Sequence, residues 1–211
     1  MILIYSDLLL DDLCGLDVLG KWCNERSEKA FVVGTCLDEL SHSEYGSPKV
    51  RTLDDARGYL NKWFDNYELV PEGSGEIRRD PNVIIVLCPV TAFVADLDKK
   101  ITNCPQGCSC YVMGGSGVAE DHMKGEYNAS CDKESFSRLL QMGIAKYYTM
   151  EVGKELFRML GYETEMFGKK PEFLDEYCAQ MTTMKESLYC PDLMVANDLM
   201  IRQGKSAVSL V

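Results

Sequence analysis

Asp7, Asp11 and Asp12 crowd three carboxylates into six consecutive positions, directly behind the apolar run Ile2-Leu3-Ile4-Tyr5-Ser6. A run of that length and composition reads as a buried strand, so Asp7 falls at its carboxyl end. Asp11 and Asp12 then open a helix, where the helix dipole favours negative charge and Asp11 can cap. Three anions at one turn repel one another unless a cation, a proton or a hydrogen-bonding ligand intervenes. A hard divalent ion answers that repulsion. Calcium takes about six to eight oxygens at irregular angles, backbone carbonyls included, whereas magnesium keeps more water and fewer protein ligands. The same residues also fit an Asp-rich helix cap facing water.

A second group follows a later apolar run. Val112-Met113-Gly114-Gly115-Ser116-Gly117 lets the backbone approach a ligand closely. Glu126 and Asn128 stand two apart on an extended segment and so share a face, with directional groups for hydroxyls. A turn carrying solvated polar residues is the plain alternative. Cys104, Cys108 and Cys110 form C-x3-C-x-C, which fits no common zinc knuckle and has no fourth ligand nearby, so they read as loop and strand cysteines. Of the two histidines, His42 and His122, the second falls in the loop before Glu126 and reads as solvated.

The elements that must position these groups alternate. Strand-length apolar runs recur at residues 2–5, 30–33, 83–87 and 111–113, with a further short strand at 146–152. Helical periodicity occupies 11–26, 52–67, 91–100, 131–145, 172–188 and 193–203, with Pro171 and Pro191 at helix starts, and 68–82 is rich in Gly and Pro as a surface loop. Such alternation predicts an α/β fold: a mainly parallel open sheet with helices on both faces and a helical C-terminal region. Catalytic loops then gather at the carboxyl ends of the strands.

Length and charge bound the function. A chain of 211 residues suits one domain spanning 1–211. The 33 acidic against 22 basic side chains, a net charge of −11, repel phosphate backbones and anionic lipid, excluding nucleic acid and membrane surfaces as generic partners. No run approaches the ~18 apolar residues of a membrane span. Residues 1–6 lead into aspartates with neither a basic n-region nor a cleavable apolar stretch, so no export signal is read. The ten cysteines are expected to be reduced apolar fillers, and the expected address is cytoplasmic.

Taken in order, these segments resemble the inosine-uridine preferring nucleoside hydrolase family. Its opening D-T-D-P-G-x-D-D is matched by Tyr5-Ser6-Asp7-Leu8-Leu9-Leu10-Asp11-Asp12, with Tyr5 in place of the first aspartate and Leu8-Leu9 in place of Pro-Gly. Its G-P-L-T-N resembles Cys88-Pro89-Val90-Thr91-Ala92, and V-M-G-G is Val112 to Gly115. E-F-N is Glu126-Tyr127-Asn128 with Asp132 beyond, and a weaker echo of L-D-V-T is Met150-Glu151-Val152-Gly153. The late H-D-P-L-A is similar to Pro191-Asp192-Leu193-Met194-Val195, with Asp198 a less favoured source of the aspartate.

The resemblance implies a nucleoside hydrolase-like, Rossmann-like fold and a calcium ion held by Asp7, Asp12, the backbone carbonyl of Leu87 and Asp192. It implies Asp7 as the catalytic base, and Asp11, Glu126 and Asn128 as substrate-binding residues holding ribose hydroxyls. The implied reaction is hydrolysis of the N-glycosidic bond of a ribonucleoside or related ribosyl compound, by an enzyme that forms homo-oligomers. The chain is shorter than typical members, Glu120-Asp121 replaces an expected asparagine, and the histidine that assists the leaving base is missing. A degenerate, non-catalytic relative binding a ribosyl ligand or a protein partner is the alternative. A response-regulator receiver is disfavoured because the run 83–87 ends in Cys88-Pro89 without a phospho-acceptor. A haloacid-dehalogenase-type phosphatase fails because Asp7-Leu8-Leu9 breaks its D-x-D.

Overall fold

The computed structural model describes residues 1–35, 50, 52–75, 81–99, 101, 108–115, 126–149, 151, 172–183, 192, 195, 196 and 199. Its strands are β1 (Ile2–Ser6), β2 (Ala30–Gly34), β3 (Tyr67–Pro71), β4 (Val83–Val86), β5 (Ser109–Met113) and β6 (Ala145–Tyr148). Its helices are α1 (Leu10–Glu25), α2 (Leu53–Trp63), α3 (Thr91–Lys99), α4 (Tyr127–Cys131), α5 (Lys133–Met142) and α6 (Leu174–Thr183). The six strands form one sheet in the order β3-β2-β1-β4-β5-β6, and every pair is parallel. This is the α/β fold expected, with β1 central because its five residues are all buried.

Alternation along each strand divides the core into two layers. Ile2, Ile4, Ala30, Val32, Val83 and Ile85 pack on one face with side chains of α1, α2 and α6. Leu3, Tyr5, Phe31, Val33, Ile84 and Val86 pack on the other with side chains of α3 and α5. Chain order reverses at β1, which has β2 on one side and β4 on the other. In open parallel sheets such a switch point opens a crevice beyond the carboxyl ends of the strands. Asp7 follows β1 and Leu87 follows β4, so both stand at its rim.

Three local expectations are corrected. The helix expected over 52–67 stops at Trp63, and residues assigned to helix and loop form β3, an edge strand with Tyr67 and Glu68 half-buried. The helix expected over 131–145 is two helices broken at Asp132, whose non-helical backbone and side-chain bond from Ser135 N–H start α5 afresh. The strand expected over 146–152 is the shorter β6, and Glu151 is already helical. Of the two helices expected at 172–188 and 193–203, α6 lies in the first, while Val195, Ala196 and Leu199 are helical and buried in the second. Cys14, Cys23, Cys88 and Cys110 are buried thiols, as apolar fillers should be. No helix among the described residues is long and apolar enough to cross a membrane.

Candidate metal centre

The turn after β1 is built around one hydroxyl. Ser6 Oγ donates to Asp12 Oδ2 at 2.5 Å and accepts from the Leu8 N–H at 3.0 Å. The Leu8 N–H also reaches Asp12 Oδ2 at 3.3 Å, and the Leu9 N–H donates to Asp7 Oδ1 at 3.3 Å. Leu8 adopts a left-handed backbone, φ 60°, which an L side chain accepts only against a steric penalty; its full burial in the core holds it there. The N-cap of α1 is Leu9, which makes no side-chain capping bond, so Asp11 lies within the first turn rather than capping it.

The turn and α1 bring Asp11, Asp12 and Asp192 together; Asp7, an expected metal ligand, is not in this group, and Asp11, expected to hold substrate, is. One carboxylate oxygen each from Asp11, Asp12 and Asp192 lies within 4.8 Å of the others. Asp12 and Asp192 are almost completely buried, Asp11 half-buried and Asp7 buried. The approach of Asp192 to α1 depends on Gly15, where a Cβ would sit 3.1 Å from the Asp192 carbonyl carbon, carbonyl oxygen and Cβ.

Electrostatics follow from this crowding. Burial pushes the Asp7 carboxyl well above the usual carboxylate range, and the charges of Asp12 and Asp11 push it further, against the pull of the Leu9 N–H. Burial also raises Asp11, opposed by the backbone N–H groups of Asp11 and Asp12. Asp12 is pushed up to about 7 by burial and then by the charge of Asp11, while Ser6 pulls the other way. Clustered hard oxygens whose ionised forms destabilise one another are the donor set of a hard cation such as calcium, and nothing in the set suits a soft metal.

Leu87, Glu126 and Asn128 form a second group at the ends of β4 and β5. The Leu87 N–H donates to the Tyr5 carbonyl at 3.0 Å, extending β4 beside β1. Asn128 Nδ2 donates to the Leu87 carbonyl at 2.9 Å and lies 3.4 Å from the Met113 carbonyl and 3.3 Å from Met113 Sδ. Glu126 caps α4: Oε1 accepts from the Asn128 N–H at 3.0 Å, and Oε2 accepts from Ala129 and Gly115 N–H at 2.7 and 2.9 Å. The positive φ of Gly114 and Gly115, 154° and 86°, is what lets Gly115 turn its N–H to this carboxylate. Tyr5, which replaces the first aspartate of the family pattern, instead points to the opposite layer and donates to Asp96 Oδ2 at 3.0 Å.

Sequence reasoning did not identify Ser6 or Gly15 as parts of the site. A hydroxyl closing an otherwise apolar strand, and a glycine one turn behind two aspartates, were the available signals. His42, His122, Cys104, Pro191 and Asp198 lie outside the described residues, and Cys108 and Cys110 flank the start of β5 without a disulfide.

No family model matches the sequence, and no curated protein matches it. Solved structures do match. The inosine-uridine preferring nucleoside hydrolase from Bacillus anthracis superimposes with a TM-score of 0.56 at 15% identity, over 95% of this chain and 80% of that one. An inosine-guanosine nucleoside hydrolase gives 0.46 at 13% identity, over 96% of this chain and 79% of that one. The type III effector protein XopQ, solved with adenosine diphosphate ribose, gives 0.46 at 16% identity, over 97% and 70%. The chain therefore has a nucleoside hydrolase-like α/β fold, and the strand ends of that fold carry a buried aspartate cluster able to hold a metal ion.

Proposed function

We propose that the protein is a calcium-dependent hydrolase that cleaves the N-glycosidic bond of a ribonucleoside or related ribosyl compound. The observation that carries this reading is the convergence of Asp11, Asp12 and Asp192 within 4.8 Å at the switch point of the sheet. Asp12 and Asp192 of that cluster, with Asp7 and the Leu87 carbonyl as the family resemblance implies, would hold the calcium, which when bound supplies a polarised, more acidic water. Asp7 would take the proton from the attacking water, its carboxylate held by the Leu9 N–H. Positive charge growing on the sugar is stabilised by the surrounding anions.

Asp11, Glu126 and Asn128 would hold the ribose hydroxyls. Three backbone N–H groups fix the Glu126 carboxylate and leave acceptor capacity on Oε1. The Asn128 amide nitrogen is held between Leu87 and Met113, which orients Oδ1 as its acceptor.

Release of reducing sugar from inosine and uridine, measured with calcium and with a chelator, tests the assignment. Calcium-dependent release that disappears in Asp7→Asn supports it. Nucleoside binding without release, surviving in Asp7→Asn, reassigns the chain as a non-catalytic ribosyl-binding protein.

A further inference from the structure

We propose that Thr35 is a further ligand-contacting residue of this site, its hydroxyl forming a hydrogen bond to a hydroxyl group of a ribosyl ligand lying over Asp7; this rests on the function proposed above. Thr35 follows β2 and is 1% exposed, and its Oγ1 is buried without a hydrogen-bond partner. The Thr35 N–H donates to the Ser6 carbonyl at 2.9 Å, carrying the parallel ladder one step past the Ser6–Gly34 pair. That step sets Thr35 beside Asp7.

Asp7 and Thr35 are the residues that follow β1 and β2, and the Thr35 N–H bond to the Ser6 carbonyl keeps the two chain segments adjacent at the carboxyl end of the sheet. Among the described residues Trp22 Nε1 in α1 and Tyr147 Oη in β6 are also buried without a partner, and both are remote from these strand ends: Arg26 covers the Trp22 ring and Phe136 packs on Tyr147.

A buried hydroxyl left unpaired destabilises the free protein, and valine fills the same space in a strand without that penalty. A hydroxyl both donates and accepts, which suits the hydroxyl of a sugar better than a carbonyl or a cation. The ligand is therefore the missing partner, and stability and affinity should move in opposite directions when the hydroxyl is removed.

The test is calorimetric titration of the calcium-loaded full chain with inosine and with ribose, alongside thermal melting without ligand, for wild type, Thr35→Val and Thr35→Ser. The expected result is a Thr35→Val protein that melts at or above the wild-type temperature yet binds about tenfold more weakly. Thr35→Ser should keep wild-type affinity within about threefold. Unchanged affinity in Thr35→Val, equal losses in both variants, or a lower melting temperature in Thr35→Val would overturn the proposal while leaving the function intact. Wild-type protein that binds neither probe overturns both.

Discussion

One hydroxyl, that of Ser6, both donates to Asp12 Oδ2 at 2.5 Å and accepts from the Leu8 N–H at 3.0 Å, so the direction of a buried carboxylate and the strained turn beside it share a single support. Hydrogen bonds to charged groups are worth about 1.5–3 kcal/mol net, more than most neutral ones. Ser6→Ala leaves Asp12 with the longer Leu8 N–H contact at 3.3 Å. Calcium affinity should then fall about tenfold or more by calorimetry, and Ser6→Thr should restore most of it. Equal affinity in wild type and Ser6→Ala would show that Asp12 needs no such support.

The raised acids give the metal-free protein a definite pH dependence. Asp12 moves from an ordinary value of 3.8 up to about 7, and Asp7 and Asp11 also rise. Between those values the folded chain retains protons that the unfolded chain has released, so this contribution to stability is complete in acid and declines as the pH climbs toward about 7. Calcium replaces the protons, so it should raise the melting temperature more at pH 7.5 than at pH 5.5 and release protons on binding, at about these pH values. Asp192→Asn removes one charge from the cluster. In chelator at about pH 7.5 it should melt higher than wild type, and calcium should no longer raise its melting temperature. A calcium increment equal at both pH values contradicts the cluster as the binding site.

What was legible in the sequence follows the burial of each element. β1, β2, β4 and β5 lie inside the sheet and are covered on both faces, so they read as unbroken apolar runs. β3 is an edge strand in which Tyr67 and Glu68 meet solvent and Pro71 needs no partner for its nitrogen, so its pattern merged with the loop behind it. The break between α4 and α5 depends on side chains turned to capping, Glu126 and Asp132, which composition alone presents as polar loop residues. Asp7, Asp11 and Asp12 are neighbours in sequence and their crowding was visible there. Asp192 is far from them in sequence, and only the order of motifs pointed to it.

Glu126 is tied into the backbone by three N–H donors from Gly115, Asn128 and Ala129. Glu126→Ala leaves those groups buried without an acceptor and should cost about 2–3 kcal/mol in denaturant unfolding, above the usual effect of losing an exposed cap. Glu126→Gln keeps the shape and one acceptor oxygen, and should cost about half as much. Calcium affinity should change little in either, because the aspartate cluster is built from α1 and Asp192. A stability loss below about 0.5 kcal/mol for Glu126→Ala would mean that water satisfies the three donors.

Gly15→Ala sets two effects against each other. Alanine improves the interior of α1 by up to about 1 kcal/mol of helix propensity. Its Cβ, however, would lie 3.1 Å from the Asp192 backbone and Cβ, closer than packed carbon atoms sit. Asp192 cannot retreat freely, because Val195, Ala196 and Leu199 on the same segment are fully buried. The displacement should carry the Asp192 carboxylate away from Asp11 and Asp12, relieving their repulsion while loosening the cation site. Metal-free stability should therefore change by less than about 1 kcal/mol, whereas calcium affinity falls several-fold. Calorimetry and melting of the same samples separate the two. Wild-type calcium affinity in Gly15→Ala would mean that the separation of α1 from Asp192 does not set the geometry of the site.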